Sequence, residues 1–150
     1  MKAQRAFTLV ELLLVLGLLA ILAVIVIAQV SNTSDDAAES ALATDLQTVR
    51  IRISLYRAEH QGKYPGQRPD GSVDGVDFVQ DLTGKTNANG EAAPNGPCGP
   101  YLQGFPRNPF LNYNRTVKVG DGSDMGGTQG WYFNSTNGRF SPNDGAHQNM

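Results

Sequence analysis

Apolar positions along the chain fall into three regimes. From Leu12 to Ala28 every residue is apolar or glycine, and only Thr8, Glu11 and Gln29 interrupt the window from Phe7 to Val30. At about 1.5 Å per helical residue that window extends roughly 36 Å, enough to cross the hydrocarbon of a bilayer. The second regime follows the polar, cap-rich stretch Ser31 to Asp36, through which the helix is expected to continue. Here Leu42, Leu46, Val49, Ile53 and Tyr56 recur at steps of four, three, four and three. Such spacing draws one apolar stripe along a helix reaching to about His60. Ile51 and Leu55 lie off the stripe, either widening a buried face or touching neighbouring molecules. Gly62 and Pro65 end the helix.

In the third regime short apolar pieces are scattered among Gly, Pro, Asn and Asp. Residues 62–109 read as a long ordered loop with one short helix near Val76 to Leu82. Three strands are expected beyond it: Arg115 to Val119, Gly130 to Asn134, and Gly138 to Ser141. The last two are joined by the turn Ser135-Thr136-Asn137-Gly138. Trp131, Tyr132 and Phe133 point to both faces of their strand, so at least one belongs to the core. The fold class is α+β, in which a long N-terminal helix, transmembrane in its first half, packs on a small antiparallel sheet. The domains are a leader at 1–6, a transmembrane helix at 7–30, and a head at 31–150. The head comprises an amphipathic helix at 35–60, a loop at 61–112 and a sheet at 113–141. The tail from Pro142 to Met150 reads as frayed.

Charge adds a direction. Lys2 and Arg5 precede the apolar window and hold the N-terminus in the cytoplasm, which places the head on the other side. Losing residues 1–6 would leave ten basic against fourteen acidic residues. No run of Lys and Arg forms a nucleic-acid footprint, so nucleic acid is not an expected partner. With Cys98 as the single cysteine no intrachain disulfide can form, and packing must hold the head. An enzyme is not expected. His60 and His147 are the only histidines, no nucleophile and base pair stands out, and there is no phosphate-binding glycine loop followed by a lysine. His60 reads as a helix C-terminal residue favoured by the dipole.

Glu11 is the costly residue. An unpaired carboxylate at the edge of an apolar helix costs at least a few kcal/mol. Neither a secretory signal peptide cut after Val26-Ile27-Ala28 nor a plain signal anchor needs it. A cut between Ala6 and Phe7 would create an amine one turn from Glu11, able to neutralise the carboxylate of a neighbouring molecule.

Arg5-Ala6-Phe7-Thr8-Leu9-Val10-Glu11, followed by Leu12-Leu13-Leu14-Val15-Leu16, resembles the class III prepilin leader of type IV pilins and type II secretion pseudopilins. The resemblance implies cleavage by the inner-membrane prepilin peptidase between Ala6 and Phe7, N-methylation of Phe7, and an assembly role for Glu11. It implies self-assembly with other pilin or pseudopilin subunits on an inner-membrane assembly platform. The subunit would be single-pass in the inner membrane with a periplasmic head, then part of a periplasmic or extracellular filament. Ala6 stands where the family usually has Gly, and no Pro follows Glu11 by about three turns. Leu55 to Pro65, then Gly99-Pro100-Tyr101-Leu102 and Phe105-Pro106-Arg107-Asn108-Pro109-Phe110, are similar to heads of the secretion major pseudopilin, although Leu111 replaces a usual Gly. The competing expectation is a monomeric membrane-anchored or secreted binding module, with or without calcium.

Two loops are candidate calcium sites. Asp70, Ser72 and Asp74 place oxygen donors at alternate positions before Gly75, and Asp81 falls where a twelve-residue calcium loop has its last carboxylate. Asp77 holds that loop's usually apolar position. Asp121-Gly122-Ser123-Asp124 lies, by the resemblance, where secretion major pseudopilins bind calcium. Solvated turns are the competing expectation for both.

Overall fold

The computed structural model describes residues 7–112 and 114–150, with 25–33 described by backbone alone. Helix α1 (Leu9–Glu59) is followed by α2 (Gly75–Thr83) and the strands β1 (Val117–Gly120), β2 (Trp131–Asn134) and β3 (Phe140–Pro142). The chain divides into two compact units, Met1–Glu39 and Ser40–Met150, and α1 contributes to both. The polar stretch after Val30 is indeed helical.

In the second unit the stripe Leu42, Leu46, Val49, Ile53 and Tyr56 is buried along its whole length. It joins Phe78 and Leu82 of α2, Tyr101, Phe105, and Val117, Trp131, Phe133 and Phe140 of the sheet in one apolar core. Ile51 and Leu55 are 55% and 40% exposed, so they do not widen the buried face. Phe78 sits among rings, 4.8 Å from Phe133, 6.0 Å from Phe140 and 6.4 Å from Phe105 by centroid. Burying a side chain of that size is worth about 1.5–3 kcal/mol. All three consecutive aromatics of β2 are buried, and Trp131 Nε1 donates to the Pro106 carbonyl at 3.0 Å.

Local chemistry sets the element ends. Helix α1 closes with the Gly62 amide donating to the Arg57 carbonyl at 2.8 Å, the 6→1 bond of a Schellman motif, with Gln61 as its left-handed residue at φ 57°. Helix α2 starts at Asp74, whose carboxylate accepts from the Val76 and Asp77 amides at 2.8 and 3.1 Å. Gly75 presses its backbone on β1, where an added Cβ would lie 2.2 Å from the Val117 carbonyl oxygen.

Two expectations are corrected. The sheet, in order β1-β2-β3, is mixed: β2 pairs antiparallel with β3, but β1 pairs parallel with β2, Val117 opposite Trp131. Residues 121–130 carry the chain back beside the start of β1, and strands of four residues make that return short enough for a loop without a crossover helix. The tail is not frayed. Asn143 is buried, accepts from the Gly126 amide at 2.6 Å and donates to the Gln129 carbonyl at 3.1 Å. Arg50 on α1 donates through Nε to the Phe140 carbonyl at 3.0 Å and through Nη2 to Met150 O at 2.7 Å. His60 directly follows α1, as expected of a helix C-terminal residue, and is fully buried, its ring stacked 3.8 Å from that of Tyr56. Its Nδ1 lies 2.8 Å from the Tyr56 carbonyl, which can only accept, so Nδ1 carries a proton, and Nε2 shares a hydrogen bond with Thr86 Oγ1 at 2.9 Å.

Candidate functional site

From Phe7 to Val24 every residue is exposed, and Glu11 is the only charge in that stretch. A contiguous apolar surface of this extent marks a place of interaction with a membrane or another protein. Among the described residues no helix is long and apolar enough to cross a membrane. The side chains of residues 25–30, which complete the expected span, and the leader with Ala6 lie outside the described residues.

Helix α1 begins one residue past Thr8, and Thr8 and Glu11 bind each other reciprocally. The Glu11 amide donates to Thr8 Oγ1 at 3.2 Å, while the Thr8 amide and hydroxyl both donate to Glu11 Oε2 at 3.3 Å. These are the two bonds of a capping box with one more from the hydroxyl. Thr8 is therefore a helix-capping residue that sequence reasoning missed, although Thr-x-x-Glu before an apolar run was the signal for it. Glu11 acquires a local task as well: its negative charge complements the dipole at the helix start.

The first candidate calcium loop is dispersed. One Asp70 oxygen accepts from the Ser72 amide and hydroxyl at 2.9 and 2.6 Å, which holds the Asp70 carboxyl below the usual carboxylate range. Asp74 caps α2 and faces Arg68 at 3.4 Å, with Asp77 at 3.3 Å from the same guanidinium. Asp81 falls within α2 and turns into the core. Its Oδ2 accepts from the Gly66 amide at 2.7 Å and the Tyr56 hydroxyl at 3.2 Å, and burial pushes its carboxyl above the ordinary aspartate value.

The second loop is knit more tightly. Asp121 Oδ1 accepts from the Ser123 amide and hydroxyl at 2.9 and 2.6 Å, and the Asp121 carbonyl accepts from Asn134 Nδ2 at 2.8 Å. Asp124 Oδ1 accepts from the Tyr132 hydroxyl at 2.6 Å, and that hydroxyl in turn accepts from the Gly122 amide at 2.8 Å. The Tyr132 bond and the nearby ammonium hold Asp124 below the usual carboxylate range. That ammonium belongs to Lys118 of β1, 3.2 Å from Asp124 Oδ2. An open surface depression sets Ser72 of the first loop on the same wall as Asp121, Ser123 and Asp124, while Asp70, Asp74 and Asp81 do not line it. Calcium takes six to eight oxygens. Among the described residues no three His, Cys, Asp or Glu side chains gather as a metal-binding group, and the Lys118 ammonium already faces Asp124.

No curated protein and no solved structure matches the chain. Residues 1–27 match the family model described as prokaryotic N-terminal methylation motif. The matched stretch contains Thr8, Glu11 and most of the exposed apolar helix, the same residues that resemble a class III prepilin leader.

Proposed function

We propose that the chain is a structural subunit of a type II secretion pseudopilus or a type IV pilus-like filament. It is cut between Ala6 and Phe7, methylated at Phe7, and drawn from the inner membrane into a filament by packing of its N-terminal helix. The observation that carries this proposal is a single carboxylate, Glu11, on an otherwise apolar exposed helix directly after a methylation-motif leader. Fresh amine and carboxylate of neighbouring subunits would neutralise each other away from water, where a pair is favoured only if both partners are present. The head's likeness to secretion subunits favours the pseudopilus, and two residues of the Gly99 to Phe110 segment, Tyr101 and Phe105, pack in the head's core.

N-terminal mass spectrometry of the membrane-extracted protein tests the processing: a methylated Phe7 terminus is expected, whereas an intact Met1 or a start at Gln29 refutes it. Assembly is tested with two variants, because Glu11 also caps its helix. Glu11→Gln keeps an acceptor for the Thr8 amide but no charge, and is expected to be processed and membrane-bound yet absent from filaments, as is Glu11→Ala. Normal filament yield from Glu11→Gln would show that the capping box alone explains Glu11.

A further inference from the structure

The loop between β1 and β2 gathers oxygens around a positive charge that the chain itself supplies. Lys118 Nζ lies 3.2 Å from Asp124 Oδ2, donates to the Asp124 carbonyl, and reaches the Gly126 carbonyl at 3.3 Å. An ammonium has three donors and no acceptor, and here its neighbours are three oxygens of one loop. The grip continues outward. Asp124 is fastened to β2 through the Tyr132 hydroxyl, and the Gly126 amide is fastened to the buried Asn143 beyond β3. We infer that Lys118 is the resident cation of this loop, a tethered ammonium where a metal-dependent head would need calcium, so that the head folds independently of divalent ions.

The chemistry is exclusive. A divalent ion seated on Asp124 would meet an ammonium already within hydrogen-bond distance of the same carboxylate, and it could bind only by expelling Lys118. Because Lys118 stands on β1 and its acceptors at residues 124 and 126, the ammonium ties the first strand to the middle of the crossover loop. The inference concerns the head alone and stands whether or not the chain enters a filament.

Thermal unfolding of the detergent-solubilised full chain, in excess chelator and in excess calcium chloride, tests it. The wild type is expected to melt at the same temperature in both, within about 1 °C, whereas a saturated native-state site would raise the midpoint by roughly 6 °C or more. Lys118→Met keeps the apolar stem and removes the charge. It is expected to melt a few degrees lower in chelator and to recover part of that loss in calcium. A calcium response of the wild type overturns the inference. So does a Lys118→Met variant that melts with the wild type in chelator, or one lowered equally in both media, which would make Lys118 a packing residue only. If the variant does not fold, the wild-type comparison decides alone.

Discussion

Asp81 ties α2 to the turn after α1, and its removal should be expensive in a way its isostere is not. The carboxylate is 7% exposed, and a single oxygen serves two donors, the buried Gly66 amide and the hydroxyl of a Tyr56 that is 1% exposed. Asp81→Ala strands both. Leaving a buried donor unpaired costs about 1–3 kcal/mol, so the pair costs about 2–5 kcal/mol, a large share of the 5–15 kcal/mol typical of a domain. The fallback for Tyr56 is the Gly90 carbonyl at 3.5 Å, at the limit of a hydrogen bond. At about 3–4 °C per kcal/mol, the melting midpoint should drop by roughly 10 °C. Asp81→Asn presents a carbonyl oxygen where Oδ2 stands, keeps both donors paired, and should stay within about 1 kcal/mol of wild type. A pH series separates the two roles. Burial is the largest cause lifting the Asp81 carboxyl above its ordinary value, with the Gly66 and Tyr56 bonds offsetting only part. A folded pKa above the unfolded one contributes stability that is fully present below the unfolded value and is lost as pH rises through the folded one. Wild type minus Asp81→Asn should therefore decline across that window and be flat above it. Urea unfolding followed by tryptophan fluorescence, through the buried Trp131, reads both effects. An Asp81→Ala variant within 1 kcal/mol of wild type, or an Asn variant as damaged as Ala, would refute the reasoning.

Gly66 holds φ at 70°, and a Cβ there would lie 2.5 Å from the Asp74 carbonyl oxygen and 2.6 Å from the Phe78 amide nitrogen. Gly66→Ala should destabilise by more than about 3 kcal/mol in urea unfolding, from a left-handed backbone plus collision with backbone that cannot yield. Asn108 is fully buried, donating to the Gly130 carbonyl and accepting from the Phe110 amide, both at 2.8 Å. Asn108→Ala should cost about 2–4 kcal/mol and expose the Phe110 amide to early hydrogen exchange.

What the sequence showed of the fold followed local periodicity. The stripe from Leu42 to Tyr56 announced the buried face of α1, the short apolar piece from Val76 to Leu82 announced α2, and each strand began within two residues of its expected start. What escaped depends on partners distant in the chain. The parallel pairing of β1 follows the path of residues 121–130, which turn signals alone do not describe. The ordered tail rests on Asn143 finding Gly126 and Gln129, and the burial of His60 on Thr86, twenty-six residues away. At the N-terminus the leader was legible because its order of charge, aromatic and carboxylate is contiguous. The Thr8 to Glu11 box is equally local, a Thr-x-x-Glu spacing at the helix start. The candidate calcium donors were visible as a spacing, but spacing does not reveal that Lys118 arrives from a neighbouring strand.

The two outer borders of the sheet are each occupied. On β1 the start of α2 crowds the outward carbonyl of Val117, and on β3 the Arg50 guanidinium takes the outward carbonyl of Phe140. Unpaired strand borders invite further strands and, in crowded compartments, amyloid-like stacking. With these positions filled, a further strand adding at either border would have to displace them, which would leave the exposed N-terminal helix of the proposed subunit as its route to joining copies. Such a division would let a polymer lengthen and dissolve through its helices while every head keeps its own fold.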